Sequence, residues 1–159
     1  MSSGKRIAAT LAAAGALLCA TQHGVASESG HFTSISVLTS AFSTLQQSGE
    51  MIFAGPSEGA SVITQSSGDP FAAGGYLEMK CVVYGRLSAN GVKLEAPCTA
   101  TGATNDEMYL LSTRIGKTGR IELQGGTGTY EGITGACDHE VSSVSPTINI
   151  ATAKCTWKR

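Results

Sequence analysis

The chain has 159 residues, 42% hydrophobic and only 14% charged, with a formal net charge of −1. That length bounds it to one ordinary domain around one core. The near-balanced charge, with no basic stripe, argues against nucleic acid or an anionic membrane surface as a partner.

Lys5 and Arg6 are followed by the apolar run Ile7 to Ala20, which carries no charge. Gly24 and Ala26 then sit at the small-residue positions before Ser27 that an A-x-A-like cleavage site needs. A run of about 14 residues is too short to span a bilayer, so the pattern reads as a secretory signal peptide over residues 1–26. Cleavage after Ala20 fits as well. A lipoprotein reading of Cys19 fails because Leu18 stands where a small residue is required. The expected mature protein, residues 27–159, is secreted or periplasmic, has no membrane span, and carries nine basic against twelve acidic side chains.

The segment His31 to Gln47 fits two patterns. Phe32, Ile35, Leu38, Phe42 and Leu45 make a helical stripe, whereas Thr33, Ile35, Val37 and Thr39 make an extended β-branched run. Dense serine and threonine and the lack of a cap favour a strand. Glu50 to Ala54 and Ser61 to Gln65 read as two short strands separated by Gly55-Pro56, with a loop from Ser66 to Gly75.

From Tyr76 to Thr101 the pattern is clearest. Leu77, Met79, Cys81 and Val83 alternate with Glu78, Lys80 and Val82; Val92, Leu94, Ala96 and Cys98 alternate with Lys93, Glu95 and Pro97. Period two over both runs gives two half-buried strands, and Asn90-Gly91 marks the hairpin between them. With the loop centred between Ala89 and Asn90, Cys81 and Cys98 stand directly opposite; centred on Asn90-Gly91, they are diagonal and too far apart to bridge. Pro97 suggests an edge or a bulge. Glu107 to Ile115 and Arg120 to Gln124 form another pair around Gly116 to Gly119, and Gly132 to Val144 pairs with Thr147 to Trp157 across Ser145-Pro146. Cys137 and Cys155 share a parity about that turn, as does Trp157, which should help close the core.

After export four cysteines remain, Cys81, Cys98, Cys137 and Cys155. An even count in an oxidising compartment favours two disulfides, and three connectivities are open. No C-x-x-C spacing occurs, which argues against a zinc ribbon or a thioredoxin-type site. No cofactor or metal is expected. About eight short strands with regular turns and little helix point to an all-β fold, a single antiparallel β-barrel or a sandwich; barrel closure removes exposed edges.

The stretch from Gly125 to Gly135 holds five glycines, Gly125, Gly126, Gly128, Gly132 and Gly135, and requires positive φ or close backbone approach before it leaves as a strand. This stretch, the ending Ala153-Lys154-Cys155-Thr156-Trp157, the segment Val62 to Phe71 and the piece Leu94 to Thr99 resemble small secreted proteobacterial proteins of unassigned function. More distantly, the glycine–threonine–glycine–aromatic–glycine rhythm is similar to the barrel of allene oxide cyclases and plant dirigent proteins. The resemblance implies eight antiparallel strands around an apolar cavity. In the cyclases that cavity steers ring closure of a reactive lipid epoxide; in dirigent proteins it holds phenoxyl-derived intermediates. It carries no site residue over to this chain.

Candidate chemistry is sparse. Gly126-Thr127-Gly128 lacks the third glycine of a dinucleotide fingerprint, because position 131 is Glu131. Gly116-Lys117-Thr118 lacks the first glycine of a P-loop, because position 111 is Leu111. His139, between Asp138 and Glu140, is the best acid–base candidate, yet strand alternation puts it on the face opposite both carboxylates and a surface position is the plainer reading. Glu78 and Glu95 read as neighbours in an exposed ladder with Lys80 and Lys93; if that face turned inward, Glu78 and Tyr84 would line a cavity. No G-x-S-x-G elbow occurs, which speaks against a hydrolase. Two functions fit. One is a non-enzymatic exported barrel that binds a small apolar molecule beside Leu77, Met79, Val83 and Leu110 or serves as a robust envelope protein. The other is a cyclase- or isomerase-type barrel enzyme. Oligomeric state and ligand identity are open.

Overall fold

The computed structural model describes residues 28–159. The expected signal peptide, residues 1–26, lies outside the described residues. Nine strands follow in chain order: β1 (Ser29–Ser40), β2 (Ser43–Gln47), β3 (Glu50–Ser66), β4 (Tyr76–Ser88), β5 (Gly91–Thr101), β6 (Glu107–Ile115), β7 (Thr118–Gly126), β8 (Thr134–Ser143) and β9 (Ile148–Lys158). All pairings are antiparallel, each strand from β3 to β9 pairs with the next, and β1 lies between β9 and β3 to close the barrel. Eight strands thus form the wall, with β2 as the extra one. Closure leaves the wall without a free edge along its length.

The ambiguous segment 31–47 is extended. Its β-branched run pairs on both sides, with β9 and β3, and this outweighs the helical stripe. β2 continues β1 along β3 in the same register: Ser40 faces Ser57 and Ser43 faces Ala54. The pair therefore forms one long hairpin about Ser48-Gly49, both at positive φ as a two-residue hairpin turn demands. The expected break at Gly55-Pro56 does not occur, because β3 runs unbroken through both residues. Pro56 needs no ladder N–H there, and its carbonyl still accepts from Ala41 N at 3.0 Å. The interruption falls instead on the facing strand, at Ala41-Phe42. Gly55 permits that pinch, since a Cβ would stand 2.2 Å from the Ala41 carbonyl oxygen.

Cys81 faces Cys98, which centres the β4–β5 loop between Ala89 and Asn90, and the two are bonded with Cα atoms 4.1 Å apart. Cys137 and Cys155 form the second bridge across β8 and β9. Pro97 stands neither at an edge nor in a bulge. It points outward in mid-wall, pairs with Leu111 on β6, and leaves a gap in the β4 ladder because it has no N–H to give. Inward alternation on β4 delivers Leu77, Met79, Cys81 and Val83 to a buried cluster that also takes Ala96, Leu110, Leu123, both disulfides and Trp157. These side chains fill the barrel, as they do in many small barrels.

Candidate functional site

The two ends of the barrel are built differently. At the end where β1 begins and β9 finishes, two loops deliver aromatic side chains into the lumen. The loop over residues 67–75 is anchored by Gly74 N to the Ile63 carbonyl (2.8 Å) and by Ile63 N to the Gly75 carbonyl (2.9 Å). It carries Phe71, which is wholly buried. The glycine-rich run supplies Tyr130 and Ile133 through a single 3-10 turn, Gly128–Tyr130. Gly125, Gly128 and Gly132 have positive φ, whereas Gly126 and Gly135 lie where a Cβ would stand 1.9 and 2.1 Å from a neighbouring carbonyl oxygen. Both reasons for the glycine density are therefore present.

Asp106 holds the turn in place. Its Oδ2 accepts from the Thr104 hydroxyl (2.7 Å), the Thr129 hydroxyl (2.9 Å) and Thr129 N (3.2 Å). The Thr104 hydroxyl, then Thr129, hold the carboxyl below its ordinary range. Phe71 stacks on Phe32 with centroids 4.1 Å apart and meets Tyr130 and Trp157 at 5.7 Å each. Around this cluster opens a depression of about 960 Å³, with Ile63, Leu77, Tyr130 and Trp157 among its lining residues. Asp69, Glu28 and Arg159 stand on its rim, and Arg159 pairs with Glu28 (3.3 Å) and donates to the Thr129 carbonyl. Burial, with a smaller contribution from Asp106, raises the Tyr130 phenol above its usual pKa and keeps it protonated. Trp157 is 5% exposed, and among the described residues its buried Nε1–H has no hydrogen-bond partner. Buried indoles ordinarily find one.

The opposite end is polar. Arg114 on β6, Gly119 on β7 and His139 on β8 form one inward-facing row, paired strand to strand. His139 is buried, at 7% exposure, and this corrects the expectation of a surface histidine. Its neighbours Asp138 and Glu140 do point outward, as alternation requires. Gly119 makes room for the ring: a Cβ there would sit 2.5 Å from His139 Cε1. Burial first, then the Arg114 charge, pulls the imidazole below its ordinary pKa, against a smaller opposing pull from Asp138. Arg114 is half-buried. Among the described residues neither its Nε nor His139 Nδ1 has a hydrogen-bond partner.

On the outer face of the wall at this level a groove of about 910 Å³ crosses β4 to β9; most of its lining residues face outward, and Leu94, Arg114, Gly119 and His139, which form its floor, turn their side chains to the inner face. Tyr84 lines this groove from the outer face, so it stands at no internal cavity. Glu78 is likewise outside, ion-paired to Lys80 at 3.0 Å with both side chains about 60% exposed. Nor is Glu78 a neighbour of Glu95: it faces Thr101, whereas Glu95 faces Tyr84. The three acid–base candidates His139, Glu78 and Tyr84 thus fail to converge. Among the described residues no group of three His, Cys, Asp or Glu side chains could hold a metal ion, and no helix is long and apolar enough to cross a membrane.

No family model matches the chain, and no curated protein matches it. Solved structures do. The structure of the pterocarpan synthase dirigent protein GePTS1 superimposes with a TM-score of 0.52 at 11% identity, covering 84% of this chain and 90% of that one. The fold is a dirigent-like β-barrel. At such identity the likeness is one of fold, and the site must be argued from this chain's own residues.

Two polar groups that matter, Arg114 and Trp157 Nε1, were not singled out as site residues from sequence. The signal for Arg114 was present: it shares the inward parity of Met108 and Leu110 on β6, where an arginine breaks the apolar alternation. His139 carried a similar signal, two residues from the inward-facing Cys137.

Proposed function

We propose that this is an exported barrel protein that holds a small, largely apolar molecule in the depression at the aromatic end. The observation that carries the reading is the buried Trp157 Nε1–H, without a hydrogen-bond partner among the described residues, at a depression that Ile63, Leu77 and Tyr130 line together with Ser67 and a polar rim. Small-molecule sites combine apolar walls with a few placed polar groups. A buried donor without an acceptor costs about 1–3 kcal/mol, which a ligand oxygen would recover. The N-terminal pattern Lys5 to Ala26, the resemblance to small secreted proteobacterial proteins and the two disulfides support export to an oxidising compartment.

A second reading, a barrel enzyme that constrains a reactive apolar substrate, draws support from the protonated Tyr130 phenol at the same depression. It draws further support from the likeness of fold to the pterocarpan synthase dirigent protein GePTS1.

Native mass spectrometry of the exported, disulfide-intact protein tests both. The binding reading expects an adduct of a few hundred daltons that leaves on organic extraction. The extracted molecule should shift the emission of Trp157, the only tryptophan in the chain, on re-addition. Recovery of the extract chemically unchanged after incubation favours binding, and its conversion favours the enzyme. An apo mass together with unresponsive Trp157 emission across a panel of apolar phenols and ketones would overturn both.

A further inference from the structure

Among the described residues, β2 (Ser43–Gln47) is the strand that pairs on one side only: it meets β3 and stands last in the strand order. The neighbouring hydrogen bonds fix which of its backbone groups face the open side. Ala41 N donates to the Pro56 carbonyl on β3 (3.0 Å), while Ser40 N donates the other way, to the Thr147 carbonyl just before β9 (2.8 Å). β2 continues β1 in the same register, so the odd-numbered Ser43, Leu45 and Gln47 turn their N–H and C=O to β3. The two-residue turn at Ser48-Gly49 demands the same phase, because a hydrogen-bonded pair, here Gln47 and Glu50, flanks such a turn. Thr44 and Gln46 therefore aim their backbone groups away from the sheet. β9 begins only at Ile148, and no described strand pairs with them.

Proteins ordinarily blunt a free edge with lysine, proline or a bulge. β2 uses none of these: Ser43-Thr44-Leu45-Gln46-Gln47 has no charge and no proline, and its register with β3 runs without a shift. All five residues are exposed, and the central Leu45 is 61% exposed beside Ile52 of β3.

We propose that the free side of β2 docks the β2 of a second copy of this chain, the two strands running antiparallel about a two-fold axis at Leu45. Antiparallel strands alternate between pairs that exchange both hydrogen bonds and pairs that exchange none. Thr44 and Gln46 lie symmetrically about Leu45. An axis there sets Thr44 against Gln46 of the second copy and Gln46 against its Thr44, so every free N–H in the strand finds a free C=O. Leu45 meets itself as a pair without hydrogen bonds, the kind in which side chains stand closest. A two-fold axis also sets any charge near it against a like charge, so an uncharged strand is what self-pairing requires. A contact between two five-residue strands is small, which places the dimer in the weak, concentration-dependent class.

Sedimentation equilibrium of the mature, disulfide-intact protein from about 10 µM to about 1 mM tests this, with amide hydrogen exchange followed by NMR over the same range. The expected result is a monomer–dimer equilibrium with a dissociation constant on the order of 100 µM, in which the Thr44 and Gln46 amides gain protection as dimer forms. Leu45→Lys brings two like charges together at the axis and should weaken the dimer by about tenfold or more. Thr44→Pro removes a free N–H at an edge where proline is tolerated, and should weaken it similarly; if that variant does not fold, Leu45→Lys decides. Val82→Lys, at a position of β4 that is 68% exposed, should leave the dimer unchanged. A monomer throughout the range would hand the edge to a different partner and overturn the proposal. Protection of both amides at every concentration would do the same, by placing a segment of the same chain on the edge. So would an oligomer that survives Leu45→Lys or yields to Val82→Lys, since it would use another face of the wall. The ligand of the aromatic depression is read by Trp157, so failure at β2 leaves that reading to its own test.

Discussion

The aromatic end and the polar end are closed by opposite means. At the first, Phe32, Phe71, Tyr130 and Trp157 pack ring against ring, and one neutral indole donor is left over. At the second the wall turns Arg114 and His139 inward, and among the described residues neither Arg114 Nε nor His139 Nδ1 has a hydrogen-bond partner. An unmet N–H in an apolar cluster is offset by the area buried around it. A half-buried charge with no ion pair among the described residues has no such offset. The contrast separates stability from function: the aromatic end should dominate the folding free energy, and the polar end should contribute little or oppose it.

The largest effect expected from that contrast is at Phe71. It comes from a loop and nonetheless fills the mouth of the barrel, touching Phe32, Tyr130 and Trp157. Phe71→Ala should lower the unfolding free energy by about 3–5 kcal/mol, read as a reduced midpoint in urea at unchanged slope with disulfides intact. A loss under about 1 kcal/mol would show that the loop is a lid and not a plug, and the comparison would collapse.

The next effect tests how the polar end is assembled. Gly119→Ala places a Cβ 2.1 Å from the Thr113 carbonyl oxygen and 2.5 Å from His139 Cε1. The backbone clash cannot be relieved by a rotamer change, so a destabilisation of about 1–3 kcal/mol is expected, with displaced His139 ring signals. If stability falls while those signals stay put, Gly119 serves the wall alone.

How much of this was legible in the sequence differs between the two ends. The wall was readable because alternation fixes which face is buried: Leu77 to Val83 and Val92 to Cys98 put Cys81 and Cys98 on one face of a hairpin, and the choice between two registers and three connectivities was left to the structure. Trp157 followed from its parity with Cys155. The glycine run was readable as a backbone demand, because few reasons besides positive φ and close approach put five glycines in eleven residues. The polar end was not readable in the same way. Alternation assigned His139 the face opposite Asp138 and Glu140, and the step from that face to the interior needed the parity of Cys137 to be carried two residues further. The meeting of Arg114 with His139 depends on β6, β7 and β8 being neighbours in register, which is a tertiary fact. Gly55-Pro56 misled for a related reason: a proline reads as a strand break, but one facing a pinch in its partner strand costs the sheet little.

A smaller effect of opposite sign is expected at Arg114. Arg114→Met keeps the stem and removes the unpaired charge, so stability should hold or rise by about 1 kcal/mol. A clear loss would mean that the guanidinium already has compensation in the native chain, and the two ends would differ less than the geometry indicates.

The smallest effect is one of pH. Arg114 faces His139 from β6; the paired positions on the flanking strands, Gly119 and Ala153, carry no charge, and Asp138 points outward towards Arg120 at 3.9 Å. Burial and the Arg114 charge lower the folded-state pKa below the value of about 6.5 for an unfolded histidine. Between the two values the unfolded chain binds the extra proton and the folded chain does not. Stability is therefore complete above about pH 6.5 and falls as pH drops through the window below it, down to the folded-state value. His139→Gln should remove that component of the profile and leave acid unfolding by the carboxylates in place. Unfolding midpoints measured across this window in the native chain and in His139→Gln show the effect. A profile unchanged by the substitution would place the imidazole in contact with water after all, and the polar end would then be open where the geometry has it buried.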